Sequence, residues 1–300
     1  MPSSLHLGHV NETSGQRIDR ARAAALFSPA VRAWNIEIVD ETGSTNADLS
    51  ARLKALPQKA DALAHPLVRV AWRQTAGHGR RGRAWYATPG HALLFSLACV
   101  LPCAADALAG LGLAVSVALV EALRALPVAR PDQIALKWPN DVLLEKNKLA
   151  GILIESAWTT PRASALAIGI GINVRGADEL AAKLSMTDAQ TPARTSATTP
   201  AALSQAWPDA NLTDTFAAAL NALEPALRRF GAEGFAPFQA RWNRHHAYAG
   251  RAVGLFEQDV EIRRGIATGV DERGQLLLDT AQGRERIVTG DISLRLVKTP

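Results

Sequence analysis

The sequence predicts an α+β protein of two unequal parts, a larger body of strands and helices followed by a small all-β unit. Three observations carry that expectation. Strand-like runs rich in β-branched and aromatic residues recur up to Val174. One long apolar-rich stretch, Ala104 to Leu126, separates them and has the pattern of a buried amphipathic helix. From Arg251 onward the texture changes: short alternating runs are broken by turn signals at Asp271-Glu272-Arg273-Gly274, Gln282-Gly283 and Gly290-Asp291. That texture reads as a small β-barrel or β-sandwich. The boundaries expected are an N-terminal extension over 1–34, a main domain over 35–247 and a small domain over 248–300.

In order along the chain, Arg17 to Leu26 has helical character, and Val31 to Asp40 reads as the first strand. Ala47 to Leu56 reads as a helix for which Thr45 and Asn46 offer capping residues. Val68 to Gln74 and Ala92 to Leu101 are the next strands. Ile134 to Trp138, Asp141 to Glu145 and Lys148 to Glu155 follow the long helix. Ser164 to Val174 is a strand with Gly169 and Gly171 inside it, which suggests a bulge or a close approach of backbone to a ligand. Residues 185–212, rich in Thr, Ala, Pro and Ser, read as a surface insertion. Asp214 to Phe230 is a helix with Thr213 as its cap, and Phe235 to Ala247 is another.

Composition narrows the functional classes. With 48% hydrophobic and 20% charged residues, the chain is an ordinary globular one. Cys99 and Cys103 are its two cysteines, too few for a disulfide framework or a cysteine zinc site, and a reducing, cytoplasmic setting fits. No uninterrupted apolar run reaches the length of a membrane span, and no secretion signal is visible. The net charge of +5 favours acidic partners such as nucleotides or carboxylates.

The most informative stretch is Gln74-Thr75-Ala76-Gly77-His78-Gly79-Arg80-Arg81-Gly82-Arg83-Ala84-Trp85. Glycines let backbone turn tightly and approach a ligand; arginines supply planar forks for carboxylate or phosphate oxygens. An anionic ligand is the expectation, against the plainer reading of a solvated basic loop. Gly77 to Gly82 formally matches the dinucleotide fingerprint, but Trp85, Tyr86, Pro89 and Gly90 follow where a helix should open. No Gly-Lys-Ser/Thr phosphate loop is present.

Four stretches carry a resemblance: Glu41-Thr42-Gly43-Ser44-Thr45-Asn46, the Gly/Arg loop, Lys137-Trp138-Pro139-Asn140-Asp141 with Lys148-Leu149-Ala150-Gly151-Ile152-Leu153-Ile154-Glu155, and Ile168-Gly169-Ile170-Gly171-Ile172-Asn173-Val174. In this order and spacing the chain, from about residue 36 to 297, resembles the bacterial biotin–protein ligases. The resemblance implies a catalytic domain similar to class II aminoacyl-tRNA synthetases, with a mixed sheet and flanking helices, and a C-terminal SH3-like barrel. It implies an ATP-dependent, AMP-forming reaction. Biotin and ATP give biotinyl-5′-AMP, and a lysine of a biotin carboxyl carrier domain of a carboxylase then takes the biotinyl group. Mg²⁺ is the expected cofactor. A cytoplasmic monomer or homodimer without membrane attachment or specific DNA binding is expected, since residues 1–34 are too short for a winged helix-turn-helix. A lipoate or octanoyl ligase of the same superfamily, a bifunctional ligase–repressor, and a chain that binds biotin without ligating it are the competing readings.

Residue by residue, the resemblance implies biotin contacts for Ser44, Thr45, Asn46, Gln74, Gly77, His78, Gly79, Arg80, Lys148 and Gly151. It implies nucleotide contacts for Arg80, Arg83, Trp85, Asn140, Lys148 and Asn173. Arg80 and Lys148 are the catalytic candidates, as charges set against carboxylate and phosphate. Asp141 is the candidate for Mg²⁺. Trp85 has a second reading as plain core packing. At His78 the family pattern has arginine, so one fixed charge is absent there.

Overall fold

A computed structural model describes residues 17–190, 199–257, 260–288 and 292–297. The expected turn at Gly290-Asp291 and the residues 191–198 lie outside them. Twelve strands form two sheets. The larger is a mixed sheet of seven strands, in the order β1 (Asn35–Thr42), β2 (Leu67–Gln74), β3 (Ala92–Leu101), β7 (Ser164–Asn173), β6 (Asn147–Thr159), β5 (Asp141–Leu144), β4 (Ile134–Lys137). β1 and β2 run parallel and the other neighbours antiparallel. The smaller sheet is antiparallel, in the order β11 (Gly283–Ile287), β10 (Leu276–Thr280), β9 (Val260–Val270), β8 (Arg251–Glu257), β12 (Ile292–Leu296). No ladder joins β11 to β12 among the described residues.

Period-two patterning decides what each face of the large sheet meets. In β7, Ile168, Ile170 and Ile172 enter the main core, while Gly169, Gly171 and Asn173 alternate onto the other face. In β3, Leu93, Phe95, Leu97, Cys99 and Leu101 share the isoleucine side. Helices α4 (Leu111–Ala125) and α6 (Leu212–Glu233) cover that side. Leu119, Leu123 and Phe216 are fully buried there, each contributing roughly 1.5–3 kcal/mol. The opposite face is only partly covered. Helix α3 (Thr45–Lys54) sets Leu49 and Leu53 against Ala98, Ala165, Ala167 and Trp158. Its first turn reaches Gly169 through Asn46, while Trp85 lies over Gly171, and the cleft opens at this end of β7.

Several expectations are corrected. The long helix is two pieces, a 3-10 turn at Ala105–Leu108 and α4, separated by Gly110 at φ 81°. A Cβ at Gly110 would lie 2.5 Å from Phe235, so the break is fixed by packing as well as by backbone. By composition Ala105–Ala125 is apolar enough to span a membrane, but most of it is buried inside the fold. Residues 199–212 are no surface insertion: Ala201, Ala202, Leu203, Ala210 and Leu212 are buried. Before them stands an unexpected helix, α5 (Ala177–Gln190). The N-cap of α6 is Asn211, which accepts from Asp214 N at 2.9 Å; the Thr213 hydroxyl instead accepts from Asp19 N. The first strand begins later than expected, because Ser28 and Pro29 open a short helix, α2 (Pro29–Arg32). Residues 17–34, expected as an extension, pack on α6. Ala23 of α1 (Arg20–Leu26), together with Phe27 and Val31, is buried, and Arg22 pairs with Asp214.

The small sheet is seated on α7 (Ala236–His245) through β9, and α7 packs in turn on β4. Asn243 and Gln239 bond the Val270 backbone, and the buried Trp138 donates to Gly274 O at 3.2 Å. His246, at the junction, lies 4.6 Å from the Trp242 ring, and both its nitrogens are buried without a partner. Burial pushes its pKa down to about 4 from the ordinary 6.5. In the unfolded chain this imidazole takes its proton first as pH falls. Stability linked to His246 is therefore intact above pH ~6.5 and lost progressively down to pH ~4, by about 3 kcal/mol in all. Denaturant titrations at several pH values should show that loss, and His246→Phe should show a loss smaller by that amount. Equal acid sensitivity in the two proteins would refute the assignment.

Candidate active site

A cleft of about 660 Å³ opens on the glycine side of β6 and β7, a size suited to a small-molecule site. Ser44, Thr45, Asn46, Gln74, His78, Gly79, Arg80, Arg83, Trp85, Asn140, Asp141, Lys148, Gly151 and Asn173 all line it. Gly77 lies just behind, where a Cβ would come 3.0 Å from Gln74 Nε2.

One end is neutral and polar. Ser44 caps α3, its hydroxyl accepting from Ala47 N, so the cap falls on Ser44 and not on Thr45 or Asn46 as expected. Thr45 and Asn46 form the first turn, both buried. Thr45 donates through N (2.7 Å) and Oγ1 (3.1 Å) to Gln74 Oε1, and its hydroxyl lies 2.8 Å from Ser96 Oγ. Gln74 is thereby held by its oxygen. Asn46 Nδ2 donates to Glu155 Oε2, while Asn46 Oδ1 is buried without a partner.

The other end is charged. Lys148 Nζ sits 2.7 Å from Asp141 Oδ1, and Lys137 Nζ 3.7 Å from Oδ2. Burial alone would raise the Asp141 pKa, but the Lys148 and Lys137 ammoniums overcome it and hold the carboxyl below its usual range. Burial lowers the Lys137 pKa. Arg80 Nη1 donates to Asn140 Oδ1 at 3.3 Å, and Asn140 Nδ2 to Ile152 O at 2.7 Å, so a half-buried amide held by the backbone steers the guanidinium. Asn173 Nδ2 bonds Lys148 O and Ala201 O, which ties β7 to the segment read as an insertion.

The Gly/Arg loop bridges the two ends as a closed turn. Trp85 N donates to Gly77 O (2.9 Å) and Gly79 N to Arg83 O (2.7 Å), with Arg81 and Gly82 at φ 62° and 65°. No α-helix opens after Gly82; β3 follows, which removes the dinucleotide reading. Trp85 lies flat on the sheet. A Cβ at Gly171 would meet its ring at 2.5 Å, and one at Gly151 at 2.9 Å. These glycines, expected to admit a ligand, make room for the indole, and Lys148 Nζ lies 5.4 Å from the ring centroid. The core-packing reading of Trp85 is thus met at its base.

Residues 48–173 match the biotin/lipoate A/B protein ligase family, and residues 250–295 match the biotin protein ligase C-terminal domain. The bifunctional ligase/repressor BirA of Escherichia coli (strain K12) is 34% identical over 304 residues, spanning 98% of this chain and 80% of that protein. The biotin–[acetyl-CoA-carboxylase] ligase of Paracoccus denitrificans is 33% identical over 257 residues, 84% of this chain and 97% of its own.

The chain belongs to the biotin–protein ligases.

A biotin protein ligase from Aquifex aeolicus, solved in complex with biotin and ATP, shares the fold at a TM-score of 0.62 and 27% identity, covering 88% of this chain and 99% of that one. These ligases are ATP-dependent enzymes, and the mixed sheet with its separate C-terminal sheet is their fold.

The sequence gives no specific role to three residues of the cleft, Lys137, Tyr248 and Arg295, nor to Glu155 beside it. Lys137 is the second cation on Asp141. Tyr248 and Arg295 reach the cleft from the junction and from β12, and their positions in the sequence give no sign of it. Glu155 stood inside a quoted motif without a role. Asp141 fits direct metal binding poorly: both carboxylate oxygens face lysines, and no group of three or more His, Cys, Asp or Glu among the described residues is placed to hold an ion. A cation there would meet two ammoniums.

Proposed function

We propose that this cleft joins biotin to ATP as biotinyl-5′-AMP and then biotinylates a lysine of a biotin carboxyl carrier domain. The observation that carries it is the division of one cleft into a neutral hydrogen-bonding end, Ser44 to Asn46 with Gln74, and a cationic end, Lys148, Lys137 and Arg80. Biotin has the same division, a neutral ureido ring and a carboxylate. In the first step a carboxylate oxygen attacks the α-phosphorus, and the bond to the pyrophosphate oxygen breaks. In the second the lysine amine attacks the acyl carbon, AMP leaves, and the amine gives up its proton.

Lys148 and Arg80 would meet carboxylate and α-phosphate, where charge gathers in the first step. The Lys148 ammonium is a compact charge on a flexible stem, able to leave Asp141 and follow that charge. Arg83, Asn140, Asn173 and the Trp85 face would hold the nucleotide; Gly77, His78 and Gly79 would place the loop over biotin, and Gly151 would seat Trp85. Magnesium would enter with the phosphates of ATP, keeping water in much of its shell, and no protein carboxylate is assigned to it. The α+β body is read as class II synthetase-like and the five-stranded sheet as SH3-like. The setting is read as cytoplasmic. Specific DNA binding is not part of this reading.

The test is biotin-dependent exchange of labelled pyrophosphate into ATP. Exchange with biotin and none with lipoate is expected. Exchange with lipoate instead would move the chain to the lipoate branch of the superfamily. Binding of biotin without exchange would leave a binding protein.

A further inference from the structure

We infer that Glu155 is a positioning residue for biotin: it locks the Asn46 amide so that its carbonyl oxygen stands in the cleft as a fixed acceptor for a ureido N–H. The inference rests on the biotin reading above and extends it to a residue outside the cleft lining. A carboxylate only accepts hydrogen bonds. Glu155 Oε2 therefore takes the Nδ2 end of Asn46, since the flipped amide would set two acceptors face to face. Asn46 is 4% exposed, so its oxygen has nowhere to go but the cleft side. There Oδ1 is buried with no partner among the described residues, and a Cβ at Gly169 would sit 3.0 Å from it. A buried acceptor left unpaired is costly and rare, and a ligand donor accounts for its retention.

Gln74 is locked in the opposite sense. Its oxygen is taken by Thr45, so it offers its amide N–H₂. The wall thus presents one fixed donor and one fixed acceptor. A cyclic urea presents the complement, a carbonyl oxygen beside N–H groups, whereas a dithiolane ring has neither. A site that hydrogen-bonds a substrate N–H discriminates strongly against analogues lacking it. Glu155 lies in β6 opposite Ala167 of β7, so its backbone is held by the centre of the sheet.

Glu155→Gln tests this, because the introduced carboxamide can present either end and no longer dictates the Asn46 flip. The KM for biotin in pyrophosphate exchange and the Kd for biotin by calorimetry should rise about tenfold or more, the effect of one lost directed hydrogen bond. The kcat and the KM for ATP should stay within about twofold. The paired variant Asn46→Asp/Glu155→Gln restores a donor opposite an acceptor and should recover biotin affinity relative to either single variant. Unchanged biotin affinity in Glu155→Gln, an equal rise in both KM values, or failure of the pair to recover would overturn the inference. Absence of exchange in the unmodified protein would instead strike the ligase reading, and calorimetry with biotin alone would still decide the role of Glu155.

Discussion

Lys148→Ala is expected to lower the rate of biotin-dependent pyrophosphate exchange by about 10²–10³-fold, the usual consequence of removing one preorganised donor from developing charge. Lys148 is the cation best placed for that work. Its ammonium is anchored 2.7 Å from Asp141 and stands near the Trp85 face, so it waits in the cleft without being sealed into it. Removal has a second effect. Asp141 is half-buried, and its carboxyl is held below the usual range because two ammoniums face it. With Lys148 gone, Lys137 and the weaker influence of Arg80 remain, and the charge of Lys137 is itself disfavoured by burial. The Asp141 pKa should rise. Stability held by its depressed pKa is present above the unfolded carboxyl value and lost as pH falls through the folded one. The variant should therefore lose part of that stability at neutral pH and show a weaker dependence on acid. Lys148→Arg keeps the charge but replaces a compact ammonium by a planar fork, and should fall between. An exchange rate within threefold of the unmodified protein in Lys148→Ala would remove Lys148 from the chemistry.

The strands that build the cleft floor were legible because their patterning is simple. Isoleucine alternating with glycine in β7 can be satisfied only by a strand with one dry face and one open face. The glycines were legible as sites of close approach, but their occupant was not. That Trp85 fills the space above Gly171 and Gly151 follows from the return of the loop over the sheet, which no local rule encodes. The same holds for Glu155, Tyr248 and Arg295, which meet the site only through the tertiary fold. Residues 199–212 misled for a different reason. Small residues suit a surface loop, but they also suit a crowded core, and Ala201, Ala202 and Ala210 are buried. Helix α5 was hidden by its mixed and partly exposed composition. The break at Gly110 was hidden by the unbroken apolar character on both sides of it.

Among the glycines of the cleft floor, Gly171→Ala should be the most disruptive single methyl group. Its Cβ would lie 2.5 Å from Trp85 Cε2, 2.6 Å from Cζ2 and 2.9 Å from Nε1, so the indole cannot stay. Neither can the methyl group yield, since Gly171 is in the ladders of β3 and β6, opposite Leu94 and Gly151. Overpacking of this kind costs about 1–3 kcal/mol. The functional cost should exceed it, because Trp85 is the residue through which the loop closes. Its amide bonds Gly77 O, so lifting the ring strains the turn that carries His78, Gly79 and Arg80. Biotinyl-adenylate should escape faster, and exchange should fall by at least about tenfold, even a small misplacement of positioning groups being expensive. A smaller side chain at position 85 vacates the clashing volume. In a double-mutant cycle Gly171→Ala with Trp85→Leu should recover stability relative to Gly171→Ala alone, a coupling expected only of residues in contact. Loop closure would recover less, because leucine offers the adenine no aromatic face. Additive losses in the cycle would show that the methyl group acts elsewhere in the sheet, and that Trp85 does not hold the loop down through Gly171.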